Sequence, residues 1–145
     1  MLTAKHILVP IDFSETSDAA LKYAVGLAQA VTAQLYLLHV PGKTGEDLEA
    51  DFPIGQFEST ARGRLEAVTG PEHLARIRPE YAVRIGTPAD EIIRYATERD
   101  IDLIVMGTHG RSGVAHVVIG SVTEKVVRAA PCPVLVVRPR RDTRP

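Results

Sequence analysis

Apolar residues gather in five short runs along the chain: HILVPI (6–11), AQLYLLHV (33–40), YAVRI (81–85), DLIVMG (102–107) and PVLVVR (133–138). Most are too short for helices and are rich in Val, Ile and Leu. Their apolarity is continuous rather than alternating, which marks strands buried on both faces, as in a parallel sheet. YAVRI alternates more and is expected nearer a sheet edge. Between the runs the period becomes helical. In SETSDAALKYAVGLAQAV (14–31), Leu21, Ala24, Val25 and Ala28 form an i, i+3, i+4, i+7 stripe. Ser14 is placed to cap this helix, and Glu15 and Asp18 suit the positive end of its dipole. In TPADEIIRYATERD (87–100), Thr87 is the expected cap, Pro88 fits the first helical position and Asp90 completes a capping box. Its stripe is Ala89, Ile92, Ile93 and Ala96. In SVTEKVVRAAP (121–131), Ser121 and Glu124 form a second box, Val122, Val126 and Ala129 face inward, and Pro131 stops the helix.

The segment PGKTGEDLEADFPIGQF (41–57) is turn-rich, acidic and aperiodic, and reads as a long loop. A weaker helix is expected over 56–69, ended by TGP at 69–71. No internal repeat or low-complexity tract is visible. The order is therefore β-α-β-loop-α-β-α-β-α-β, within one α/β domain spanning 1–145. Right-handed crossovers turn that order into an open parallel sheet with helices on both faces. Such sheets take ligands at the carboxyl ends of their strands, where the strand order reverses. The pattern says where to look for a site and leaves the ligand open.

Composition narrows the classes. With 145 residues, 45% hydrophobic and 24% charged, the chain has ample material for one core. A net charge of −1 gives no reason to expect electrostatic binding to nucleic acid or to an acidic membrane surface. The basic tail RPRRDTRP (138–145) reads as a frayed terminus from 139 to 145, with a local anion contact as the alternative. The lone cysteine, Cys132, cannot form an internal disulfide and fits a reducing compartment. Flanked by Pro131 and Pro133, it reads as a structural thiol. The N-terminal MLTAKHILVPIDFS lacks the features of a signal peptide, and no apolar stretch reaches the ~20 residues of a membrane span. A cytoplasmic location is expected.

The chemistry concentrates in GTHGRSGVAHVVIGSVTEK (107–125), which leaves the fourth strand through Gly107, Gly110, Gly113 and Gly120 before opening a helix. Gly107 and Gly110 permit a turn and close approach to a ligand, and Gly120 does so at a helix start. Helix N-termini carry unpaired N–H groups and partial positive charge, which suit a phosphate. Ser121 adds a hydroxyl, and Thr123 is placed to add another. The spacing is G-x2-G-x9-G-S. It contains no P-loop lysine, and it lacks the G-x-G-x-x-G fingerprint of dinucleotide folds. A glycine-rich loop without a ligand is the alternative on residue pattern alone.

These segments resemble the universal stress protein family, specifically its ATP-binding subgroup. The resemblance is carried by ILVPIDFSETSDAALKYA, LLHV, GTPADEIIRYA and DLIVMGTHGRSGVAHVVIGSVTEKVVRAAPCPVLVVR, and is weakest over 41–80. It implies a Rossmann-like, five-stranded parallel sheet of order 3-2-1-4-5, with ATP in the cleft between strands one and four. It also implies a homodimer paired through the last strand, PVLVVR, whose apolar edge has backbone groups to cover. By position, Pro10, Ile11 and Asp12 end strand one against the nucleotide, with Asp12 toward the ribose hydroxyls or a divalent cation such as Mg, or alternatively serving as a cap at the helix entry. Val40 flanks the adenine, while Met106 and Gly107 line base and ribose. Gly110, Gly120, Ser121 and Val122 supply phosphate-binding amides, and Arg111 either reaches phosphate or stays solvated. His39, His109 and His116 do not have zinc-site spacing.

A phosphoryl-transfer enzyme needs a positioned metal, an orienting group for water or acceptor, and charge stabilisation. The sequence supplies a cradle, one acid and several hydroxyls, without an obvious general base. The expectation is a regulatory ATP-binding protein whose occupancy alters a surface read by a protein partner. The alternatives are a slow ATPase, self-phosphorylation on Ser121 or Thr123, and a nucleotide-free interaction module.

Overall fold

The computed structural model describes residues 4–41, 54–70, 77–108 and 119–139. Five strands appear in chain order: β1 (His6–Pro10), β2 (Gln34–His39), β3 (Glu80–Val83), β4 (Leu103–Gly107) and β5 (Val134–Val137). The helices are α1 (Glu15–Val31), α2 (Ile54–Thr69), α3 (Pro88–Glu98) and α4 (Ser121–Ala129). The sheet has the order β3-β2-β1-β4-β5, every pairing parallel, as the resemblance implied.

Continuous apolarity in the strands has a direct cause. Along β1, Ile7 and Val9 point into a core beneath α1 and α2, while Leu8 between them points into a second core beneath α3 and α4. All three are fully buried. Strand β2 repeats this, with Leu35 and Leu37 on the first side and Tyr36 and Leu38 on the second. A period of two with both faces covered reads as an unbroken apolar run. β3 lies at one edge with Glu80 exposed, in keeping with its more alternating sequence. β5 lies at the other edge, and its residues are half-buried. No helix among the described residues is long and apolar enough to cross a membrane.

Several local expectations shift. The segment 54–57, expected as loop, begins α2, and 42–53 lies outside the described residues. Gly70, at φ +75°, follows the last residue of α2 in the left-handed conformation that commonly ends a helix. Ser14 caps α1 as expected, its hydroxyl accepting from the Ser17 amide at 3.2 Å. Thr87 precedes α3 without a side-chain cap bond, and only its carbonyl accepts, from the Glu91 amide at 2.9 Å. The Asp90 carboxylate instead meets Lys125 at 3.3 Å, tying α3 to α4. In α3 the fourth core position belongs to Tyr95 rather than to half-buried Ile93. In α4 the cap is Gly120, one residue earlier than expected, so Ser121 is the first helical residue and the Ser121–Glu124 box does not form. Glu124 pairs with Arg128 at 2.8 Å, Ala129 is exposed, and Thr123 is buried in its place.

Tyr95 is the largest side chain fully buried in the structure. Its ring packs edge-on against Tyr36 at 6.3 Å, with the guanidinium groups of Arg84 and Arg99 at 4.9 and 5.6 Å. Its hydroxyl has no partner among the described residues. Burying an unpaired hydroxyl is unfavourable, whereas the ring contacts do not need it. Tyr95→Phe is therefore expected to raise unfolding free energy by about 1 kcal/mol, read from urea denaturation.

Asp102 fastens the amino ends of β1 and β4. One carboxylate oxygen accepts from the amides of Lys5 and His6, both at 2.9 Å. The Lys5 amide bond is the main reason its pKa lies below the ordinary carboxylate value, with the His6 amide adding to the effect against partial desolvation. A depressed folded-state pKa contributes stability above the unfolded-state value of about 4, and that contribution is lost as pH falls through the lower folded-state value. Asp102→Asn is expected to destabilise by about 1 kcal/mol at neutral pH, an exposed charge-assisted pair being discounted for screening. The difference from wild type should disappear in acid, as measured by denaturation across pH.

Candidate functional site

The strand order reverses between β1 and β4. From β1 the chain passes to α1 on one face of the sheet, and from β4 it passes to α4 on the other. The ladder between these strands comprises Ile7 with Leu103 and Leu8 with Ile104, although β1 continues to Pro10 and β4 to Gly107. Pro10 has no N–H to extend it. The two carboxyl ends thus leave the pairing early, at the point where this topology provides a ligand crevice.

On the β1 side, Pro10 is half-buried and Ile11 buried, with the Ile11 amide donating to the Leu38 carbonyl at 2.8 Å. Asp12 is half-buried. One of its carboxylate oxygens accepts from the Ser14 amide at 2.9 Å and also from the Ser14 hydroxyl. Asp12 therefore shapes the entry into α1, whatever else it contacts. Phe13 follows in the left-handed region at φ +64°, an uncommon conformation for a bulky residue. Its ring meets the His39 ring, tilted, at 4.6 Å and the Arg64 guanidinium at 3.9 Å. The His39 Nδ1 stands 2.7 Å from the Ile11 carbonyl oxygen. No sequence pattern pointed to this cluster of Arg64, Phe13 and His39 beside Asp12, because a positive φ at a phenylalanine has no local signature.

Val40, just past β2, and Met106, near the end of β4, both belong to the core under α3 and α4. Met106 is buried and Val40 half-buried. Gly107 ends β4 in a tighter setting than the expected ligand approach. A Cβ there would stand 2.7 Å from the backbone carbon and oxygen of Thr16 in α1. The missing side chain makes room for the first turn of α1. On the outgoing side, the Gly107 carbonyl accepts from the Thr123 hydroxyl at 2.8 Å. That hydroxyl, expected at a phosphate, is buried and committed to the protein.

The start of α4 supplies the candidate anion-binding groups. The Gly120 amide, expected among the phosphate donors, donates to the Thr108 carbonyl. The first bond within the helix runs from the Glu124 amide to the Gly120 carbonyl at 2.9 Å. The amides of Ser121, Val122 and Thr123 therefore have no acceptor within α4. Ser121 is exposed, and Val122 is half-buried with its side chain against the α3–α4 core. Gly110, Arg111, His109 and His116 lie outside the described residues. Away from the crevice, burial pushes the Cys132 thiol pKa up, consistent with an unreactive structural thiol.

Comparison with known proteins adds a family. The sequence model of the Universal stress protein family matches residues 3–138. Universal stress protein MJ0531 of Methanocaldococcus jannaschii is 35% identical, with 95% of this chain and 85% of that protein covered. The structure of protein MJ0577, from the same organism, superposes with a TM-score of 0.79 at 30% identity, covering 97% of this chain and all of that one. A universal stress protein crystallised in complex with cAMP has a TM-score of 0.64 at 26% identity, over 96% of this chain and 100% of its own.

The Gly107 contact makes its own prediction. The opposing atoms are backbone, so an added methyl group can be accommodated only by moving α1 away from β4. Gly107→Ala is expected to cost about 1–3 kcal/mol of stability, as overpacking does. Urea denaturation of the ligand-free protein measures it; unchanged stability would mean that the close approach to Thr16 is not a constraint.

Proposed function

The chain belongs to the universal stress protein family, and on that premise we propose that it is a regulatory protein that binds ATP in the crevice between the carboxyl ends of β1 and β4. The observation that carries this reading is the first turn of α4, whose Ser121, Val122 and Thr123 amides lack helical acceptors at the reversal of strand order. Unpaired amides at the positive end of a helix suit a phosphate tail. The relative bound to cAMP supports an adenine nucleotide as the ligand class.

The residues fit such a ligand. Ser121 and Val122 provide amides, and the Ser121 hydroxyl is exposed. Half-buried Val40 and Pro10 offer apolar surface to the base, buried Met106 and Ile11 back that surface from the two cores, and the Asp12 carboxylate serves ribose hydroxyls or a bound Mg. Gly107 and Gly120 fix the end of β4 and the start of α4, and the phosphate roles expected of Gly110 and Arg111 lie outside the described residues. Within one domain over 1–145, nucleotide occupancy is the signal that a protein partner reads. The outer edge of β5, at the end of the sheet order, is the proposed seam of a homodimer.

Ser121→Pro tests the carrying observation. Proline is favoured at a first helical position, and Gly120, at φ −72° and ψ 164°, already has the extended conformation preferred before proline. The substitution removes one N–H and leaves the helix. Wild type is expected to bind ATP with magnesium in calorimetric titration. Ser121→Pro should weaken binding by about tenfold or more, the loss of one hydrogen bond to a charged group. Ser121→Ala, which retains the amide, should lose less. Absence of ATP binding by wild type, or equal affinity in the proline variant, would overturn the reading.

A further inference from the structure

The sequence suggested that the Thr123 hydroxyl meets phosphate, but its bond to Gly107 gives it a different task. Resting on the nucleotide reading above, we propose that Thr123 is a positioning residue: its hydroxyl sets the first turn of α4 against the end of β4, so that the Ser121 and Val122 amides face the crevice at the correct height.

Three contacts support this. The Thr123 Oγ1 donates to the Gly107 carbonyl across sixteen residues of sequence, at 2.8 Å, from a side chain that is only 3% exposed. The adjoining Gly120 amide donates to the Thr108 carbonyl, so β4 and α4 are joined by two consecutive bonds at their facing ends. Gly107 is itself held from the opposite side, where the Thr16 backbone occupies the space of its missing Cβ. The acceptor is thus a fixed point, set by α1 and β4 together. One turn further along α4, Val126 is fully buried in the α3–α4 core. That contact anchors the helix body, while the hydroxyl fixes its tip. A hydrogen bond is directional and acts over a narrow distance range, so it controls amide placement in a way that apolar packing alone does not.

The consequence is a division of labour among neighbouring residues. Ser121 and Val122 touch the ligand, and Thr123 acts on it only through them. Its proton is engaged with the Gly107 oxygen, which makes Thr123 a poor hydroxyl for phosphate contact or for phosphoryl acceptance. Exposed Ser121 retains that availability.

Thr123→Val keeps the branched shape and removes the donor, whereas Thr123→Ser keeps the donor and removes a methyl group. Two measurements are made on both variants: ATP affinity by calorimetry, and amide hydrogen exchange at Gly120 in the ligand-free protein, resolved by nuclear magnetic resonance. Thr123→Val is expected to weaken ATP binding by about tenfold and to speed Gly120 exchange. Thr123→Ser should restore both to near wild type, even though loss of a buried methyl group lowers its melting temperature. A purely structural role would make affinity follow melting temperature instead of the hydroxyl. Unchanged Gly120 exchange in Thr123→Val, or failure of Thr123→Ser to rescue affinity, overturns the inference. If wild type binds no ATP while Gly120 exchange still follows the hydroxyl, the nucleotide reading fails and the positioning of the helix tip stands.

Discussion

The close approach of α1 to the end of β4 at Gly107 is the contact on which the arrangement at the carboxyl ends of β1 and β4 depends. The Thr16 backbone lies where any side chain at residue 107 would have to go. This brings the first turn of α1 against the carboxyl end of β4 on one face of the sheet. On the other face, the Gly107 carbonyl receives the Thr123 hydroxyl from the first turn of α4. Two helices leaving opposite faces are thereby referred to a single residue. Their N-terminal ends, each carrying partial positive charge, meet the same edge of the sheet.

Around this fixed point the polar groups sort by commitment. The Ser14 hydroxyl, the Gly120 amide and the Thr123 hydroxyl all serve the protein. Asp12 gives at least one oxygen to the entry of α1. What lacks an acceptor within the helix is the set of backbone amides at the start of α4. Fixed backbone dipoles need little rearrangement to receive an anion, and their position is set by buried contacts rather than by long side chains. By contrast, the ion pairs of α1, between Lys22 and Asp18, and of α4, between Arg128 and Glu124, join exposed groups within one helix. Pairs of that kind contribute little to stability, and neither joins the crevice to another element.

Tertiary packing also explains why some local rules gave way. Ser121 has the composition of an N-cap, yet Gly120 takes that place because its amide is drawn to the Thr108 carbonyl, which starts the helix one residue early. Asp90 could have closed a box with Thr87, but Lys125 stands across from it on α4. Tyr95 enters the core of α3 where a narrower stripe would place Ile93, because Tyr36 of β2 and two arginines make a slot shaped for an aromatic ring. For Gly120 and Tyr95 a partner distant in sequence outweighed a preference worth about 1 kcal/mol or less, whereas the exposed Asp90–Lys125 pair is itself of small worth.

The sequence by itself determined the strands, their character and the sheet edge at which this topology takes ligands. Ile7, Leu8 and Val9 are apolar in succession because both faces of β1 are covered, whereas a strand with one face in water would alternate. The glycine spacing from Gly107 to Gly120 likewise marked the exit from β4, and the resemblance it supports named the family and the sheet order. Only the tertiary structure decided what each of these groups does. Gly107 makes room for a helix, Gly120 caps one, Thr123 binds a carbonyl, and Phe13 turns through a left-handed conformation to contact His39 and Arg64. Periodicity and composition are local properties, written into a few neighbouring residues. The role of a bare Cα or a buried hydroxyl depends on which remote backbone comes to lie against it, and that is fixed only when the faces of the sheet and helices have met.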